Sequence, residues 1–370
     1  MIERRQFLRL GLAGLVLASP LGGCALRSPR SSESPLLISA ADTPDGRHTL
    51  VGTDLHGERR FLIPVDERCH GGCPRPGSSQ LVLFARRPGR HFYVLDAKQG
   101  TLIQQVAAGQ DHHFYGHGVF SHDGRYLYAT ENHYPSGQGW IGVYDAQRNY
   151  QRIRRLSAGG IGPHELRLHP DGSTLVVALG GIQTHPDYER IKLNLATMAP
   201  ALLLMDRHTG DILQRHTPSH HQLSCRHLDI SPDGIVVAGY QYQGPDWQTP
   251  PLIARLNTQS GQFEEIDLPQ QVQRTLNNYT ASIAIHPNTP NTLVTAPRGG
   301  RALLLNHQSG RLIQHFQIPD CAGATADYDG FVISSGNGRL YRITHDTHSL
   351  QPLGHQTIRW DNHLTPYALT

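Results

Sequence analysis

The chain has 370 residues, of which 33 are basic and 30 acidic, for a formal charge of +3. That balance gives no electrostatic case for nucleic-acid binding, and the length is ample for a large core. Histidine is the compositional outlier with 24 copies, and five cysteines are present.

Residues 1–23 read as a twin-arginine lipoprotein signal. Arg4 and Arg5 form the basic region, and an apolar run of small residues extends from Leu10 to Leu21. Leu21-Gly22-Gly23-Cys24 is a lipobox, with cleavage expected before Cys24 and the lipid on that cysteine. The competing reading is a chance arginine pair in a cytosolic protein. Ala25 follows, with no aspartate to favour inner-membrane retention. The expected location is therefore the periplasmic face of the outer membrane. Export by the folded-protein route implies a domain that folds, or takes up a cofactor, before crossing. Residues 24–35 form a polar Ser- and Pro-rich tether. No later stretch approaches the ~20 apolar residues that span a bilayer, so lipidated Cys24 is the expected membrane contact.

From residue 36 to 370 the pattern is short strands between Asp-Gly or Pro-Gly turns, with almost no helical periodicity. A unit recurs in HGVFSHDGRYLYAT (117–130), HELRLHPDGSTLVVAL (164–179) and RHLDISPDGIVVAGY (226–240). Further copies are HGGCPRPGSSQLVLFA (70–85), ASIAIHPNTPNTLVTA (281–296) and AGATADYDGFVISS (322–335). A third strand ending in Asp or Asn follows, then a Gly turn and a last strand. Four-stranded repeats of this length are propeller blades. The expected fold is all-β, a seven-bladed β-propeller. Six blades start near residues 70, 117, 164, 227, 282 and 323. The seventh takes three strands from 36–66 and its missing strand from 361–369, which closes the ring and removes a free edge.

The repeat register carries the functional signal. His70, His117 and His227 each lie seven residues before a turn glycine (Gly77, Gly124, Gly234), His164 lies eight before Gly172, and His363 begins the last inner strand. Ser282 and Gly323 hold the matching positions of blades five and six. Inner-strand starts converge on the central channel, so these five histidines are candidate ligands for iron, copper or zinc. Protonated, they would bind an anion; they could also serve as acid and base. Otherwise they close each blade by bonding backbone. Tyr115, Glu165 and Arg226 are further candidates on the same rim. Glu165 could orient an imidazole or bind metal, and Arg226 could clamp a carboxylate or phosphate. Glu131-Asn132 is expected at the channel mouth. An insertion at 180–200 is expected to cross one propeller face, with His185 and Asn194 as possible contributors.

Cys69, Cys73, Cys225 and Cys321 remain beyond the lipid cysteine, an even number in an oxidising compartment. Cys69-His70-Gly71-Gly72-Cys73 lacks the CxxCH spacing of a c-type haem. It is open to disulfide chemistry, metal ligation or free thiols.

The chain resembles the DUF1513 family of exported proteins. The resemblance rests on FYGHGVFSHDGRYLYATEN (114–132), GIGPHELRLHPDG (160–172), GGIQTHPDYERIKLNLATMAPAL (180–202), RHLDISPDG (226–234), YQYQGP (240–245) and TAPRGGRALLLN (295–306). It implies a propeller of the YVTN or quinoprotein-amine-dehydrogenase-like type. It also implies a periplasmic metal role beside iron-uptake components, and it assigns no catalytic residue. Where RGHG is usual, Arg68-Cys69-His70-Gly71 stands here, which implies redox or disulfide chemistry that relatives lack.

Three functions follow as expectations. The first is an iron- or copper-binding protein for metal uptake or handling, a monomer working with periplasmic uptake or redox proteins. The second is a metal- or quinone-dependent oxidoreductase. The third is a metal-free interaction scaffold. No nucleophile elbow, phosphate loop or dinucleotide fingerprint sits in a suitable context, which leaves hydrolase and nucleotide-dependent readings weak.

Overall fold

The computed structural model describes residues 35–368, apart from residues 88, 189 and 190. The expected signal segment, and the expected tether up to residue 34, lie outside the described residues.

Seven antiparallel sheets are present among the described residues, six of four strands and one of five. Blade one runs from Cys69 to Ala107, blade two from His112 to Ser157 and blade three from Pro163 to His216. Blade four runs from Leu223 to Glu265, blade five from Ile283 to Gln317 and blade six from Cys321 to His355. This is a seven-bladed β-propeller.

The strand sequences account for their radial positions. Central strands such as Gln80–Ala85 and Thr174–Leu179 are apolar runs buried almost throughout, as strands covered on both faces must be. Outer strands such as Thr101–Ala107 (TLIQQVA) are largely exposed. The Asp or Asn that ends the third strand in blades one to five builds the next turn. Asp96 accepts from the amide of Gln99, and Asp206 accepts from those of His208 and Thr209. Asn257 and Asn306 do the same in blades four and five. These are side-chain-to-backbone turn caps.

Apolar clusters fill the spaces between neighbouring blades. Between blades one and two, Phe92 meets Phe114 at 5.4 Å and Tyr144 at 5.2 Å, ring centre to ring centre. Such inclined aromatic pairs add to simple burial.

The seventh blade joins the two chain ends. Strands Leu36–Asp42, His48–Asp54 and Arg59–Pro64 form its outer part. Arg359–Trp360 and Thr365–Tyr367 both pair with Leu36–Asp42. The Asp361 amide donates to Ala40 O at 2.9 Å, and the Ser39 hydroxyl donates to His363 O at 2.5 Å. The closure thereby sets the backbone that carries Asp361 and His363.

Candidate metal centre

The inner strands of five blades share a local irregularity. Pairing with the second strand slips between Cys69 and Gly72, between Phe114 and Gly118, and between Pro163 and Glu165. It slips again between Cys225 and His227, and between Cys321 and Ala324. Each slip is a bulge that inserts extra chain and re-aims side chains. Four of the five hub histidines lie in or at the edge of such a bulge. Glycine makes the crowding possible: a Cβ on Gly71 would lie 2.5 Å from Nδ1 of His117. Gly116, at φ +107°, has the His70 ring 3.0 Å from the position a Cβ would take. A Cβ on Gly323 would meet the backbone of His363 at 2.7 Å, so blade six supplies room instead of a ligand.

The bulges also correct the expected equivalence of the histidines. In blade three the extra residue is His164, whereas in blade four it is Arg226. Glu165 is therefore the counterpart of His227, and His164 the counterpart of Arg226. The eight-residue spacing of His164 from Gly172 is the sequence trace of that offset.

The five imidazoles form one buried cluster. His70 lies 4.5 Å from His363 and 4.9 Å from His117, measured between ring centres. His227 lies 4.7 Å from His363 and 4.9 Å from His164, and His117 lies 5.0 Å from His164. Three ligand groups emerge, each with its ligand atoms within 4.8 Å of one another: His70/His227/His363, His70/His117/His164 and His117/Glu165/His227. These buried histidine and glutamate clusters can coordinate a metal ion.

Hydrogen bonds decide which ring nitrogens are available. Nδ1 of His70 donates to Oδ1 of Asp361 at 2.6 Å, and Nδ1 of His227 donates to Oε2 of Glu165 at 2.9 Å. The Ser282 hydroxyl donates to Asn362 O at 2.7 Å, so it accepts from Nδ1 of His363 at 3.2 Å. In all three rings the Nε2 lone pair is left for a ligand. This is how outer carboxylates and hydroxyls set metal-binding histidines. Nε2 of His117 and Nε2 of His363 are buried with no hydrogen-bond partner, a costly state that a bound ion would relieve. His164 differs. Arg226 can only donate, at 3.4 Å, so Nδ1 of His164 accepts and the ring proton sits on Nε2.

Burial holds all five imidazoles below the usual histidine value. Neighbouring imidazoles add to this at His117 and His363, and Arg226 adds to it at His164. At His70 the Asp361 carboxylate opposes the effect of burial. For Asp361 burial acts upward, but His70, Arg86 and Arg68 outweigh it and hold the acid far below the carboxylate range. The hub at neutral pH is thus a set of neutral imidazoles, with ionised Asp361 behind His70.

Two cavities flank the cluster. One has a volume of about 530 Å³ and is lined by His117, Glu165, Arg167, Asp229, Ser282 and His363, among others. The other has a volume of about 40 Å³ and is lined by His70, His164, His227, Tyr115 and Arg226 together with Arg86 and Arg87. Tyr115 and Arg226 thus share the small cavity, while Glu165 faces the large one.

Other expectations need correcting. Glu131 does not face the channel mouth: it is buried in blade two, accepting from the Tyr144 hydroxyl at 2.5 Å and from Arg152 at 2.9 Å. Asn194 ties the insertion to itself, accepting from the Gln183 amide and donating to Gly181 O. His185 packs on Tyr134 and Tyr188. Cys69, Cys73, Cys225 and Cys321 are buried free thiols in four different apolar clusters. Burial pushes each thiol upward, to about 12 for Cys321, so none is a poised thiolate. Asp361, Arg68 and Arg86 escaped the sequence reading. The one available signal was an acid two residues before His363.

A profile of the DUF1513 family, described as a protein of unknown function, matches residues 63–367. None of the curated proteins matches the chain. Among solved structures, hydrazine synthase of Kuenenia stuttgartiensis is similar with a TM-score of 0.62 at 14% identity, covering 91% of this chain and 99% of that one. At that identity the likeness concerns the fold alone. The chain belongs to the DUF1513 family.

Proposed function

We propose that this member of the DUF1513 family binds an iron or copper ion at the histidine hub and serves metal uptake or handling in the periplasm, held to the membrane by lipidated Cys24. The observation that carries the reading is the buried pair of unpartnered Nε2 atoms on His117 and His363, beside His70 and His227 whose Nδ1 atoms are held by carboxylates. A scaffold would bond its hub histidines to backbone; these rings bond to acids, a hydroxyl and an arginine. Imidazole with one carboxylate suits borderline divalent metals. His70, His117, His227 and His363 would hold the ion, and Glu165 would balance part of its charge. The ion would enter from the large cavity, where two acids, Glu165 and Asp229, outnumber the one arginine between them, Arg167, and favour cations. The opposite cavity is arginine-lined and repels them.

The test is elemental mass spectrometry on protein purified from the periplasm. Stoichiometric iron or copper in the wild type, absent from a folded His117→Ala/His164→Ala variant, is the expected result. No metal in either folded sample overturns the reading.

A second reading, a metal-dependent oxidoreductase, is favoured by the size of the large cavity. About 530 Å³ beside His117 and His363 is room for a small organic substrate. Turnover by metal-loaded protein of a periplasmic reductant would separate it from a carrier.

A further inference from the structure

We propose that the small cavity on the arginine side of the hub is a binding site for a planar oxyanion of the carboxylate or carbonate class. Its lining shares His70 and His227 with the proposed metal position, but its charge comes from Arg226 on the opposite side of the hub from the large cavity.

Three guanidinium groups border this cavity: Arg86, Arg87 and Arg226. Arg86 already serves Asp361 at 3.2 Å. Arg226 is different. It is 4% exposed, yet among the described residues no carboxylate lies within salt-bridge distance of it. Its Nε is buried with no hydrogen-bond partner, and its one polar contact of note is the long 3.4 Å bond to His164. A buried cation without a counter-charge is among the most costly arrangements in a protein. Position adds to the puzzle: Arg226 is the extra residue of its bulge, so the backbone is deformed to deliver it here. Arg87 stands near enough to act on it electrostatically, and Lys192 on the insertion feels both. Arg226 thus adds a charge to which no acid among the described residues answers.

An anion supplies what is missing. A guanidinium offers a planar fork that matches two oxygens of a carboxylate or carbonate. His164 lines the same cavity, and its bond to Arg226 leaves its ring proton on Nε2. Size selects the class. At about 40 Å³ the cavity holds roughly three to four atoms of water size, given the ~10–15 Å³ each requires. Formate and bicarbonate fit that limit, whereas a phosphate ester or a nucleotide does not. Tyr115, Tyr279, Gln241 and Asn362 complete the polar lining.

The test uses metal-free, full-length mature protein, so that its outcome is independent of whether any metal binds. Thermal unfolding is followed while sodium formate or sodium bicarbonate replaces sodium chloride at constant ionic strength. A saturable rise of about 3 °C or more is expected at near-saturating anion. The rise should vanish in Arg226→Gln and shrink in Arg226→Lys, which keeps the charge but not the fork. If Arg226→Gln does not fold, Arg87→Gln takes its place with the same expected loss. No rise with either anion in the wild type, or an equal rise in the folded variants, overturns the proposal. Metal content measured on the same samples keeps a failed metal site distinguishable from a failed anion site.

Discussion

Nδ1 of His227 sits 2.9 Å from Oε2 of Glu165, while the other oxygen of that carboxylate lies 2.7 Å from Arg167. The acid is thus clamped between a hub ring and a guanidinium, and blade three orients a ligand that belongs to blade four. His117 lies 3.8 Å away from the same carboxylate, close enough to feel its charge.

Glu165→Gln tests this clamp. The amide keeps the shape but loses the charge that fixes the His227 tautomer. Metal affinity should fall about 10- to 100-fold, the usual effect of removing such an outer partner. Competition against a chelator of known strength, with circular dichroism to verify folding, reads the change.

Asp361 anchors more than a ring. It accepts from His70, Arg68 and Arg86, and all its contacts are buried or half-buried. Asp361→Asn leaves Arg68 and Arg86 without a counter-charge and weakens the hold on His70, and should cost about 3–5 kcal/mol. Urea unfolding at neutral pH measures the loss.

Acidification should destabilise the fold in two stages. Above about pH 6.5 the hub rings are neutral in both folded and unfolded chains, so they contribute no pH dependence. Below that, the unfolded chain takes up protons that the buried rings refuse, because their folded values are lowered. Each ring can then remove up to about 1.4 kcal/mol per pH unit. Asp361 acts further down: its depressed value gives stability present above the ordinary aspartate range and lost as pH falls through and below it. Urea unfolding between pH 7.5 and 5.0 should show a steep fall in the wild type and a shallower one in His117→Gln/His363→Gln. A flat profile would contradict the burial of neutral imidazoles.

Membrane attachment is tested at Cys24. Cys24→Ala should move the protein from the membrane fraction to the soluble fraction, and Arg4→Lys/Arg5→Lys should leave it in the cytoplasm as precursor. Fractionation with immunoblotting reads both outcomes.

Much of the propeller was legible because each blade writes its own turns, its own buried run and its own exposed edge. The split blade was legible from leftover strands at both ends. The positions of His70, His117, His227 and His363 followed from that register. What escaped depends on pairing between strands. The offset that puts Glu165 opposite the role of His227 needs the bulge between Pro163 and Glu165. Asp361 reaches His70 across 291 residues, and its own neighbourhood carries no pattern that says so. Glu131 looked like a rim residue because it ends a strand, but a tyrosine and an arginine from neighbouring strands draw it inward. Count and compartment left the cysteines open to pairing, yet burial in four different apolar clusters leaves them as core-filling thiols.

The segment that completes the ring also delivers Asp361 and His363, and translation reaches these residues only after all six four-stranded blades. A nascent chain can therefore assemble six blades and still lack a finished hub. Loading with a ligand would report that the ring has closed, and a bound ion would act as a rivet between strands from the two ends of the propeller domain. Premature termination anywhere upstream of residue 361 would yield a chain unable to be loaded, however well its other blades had formed.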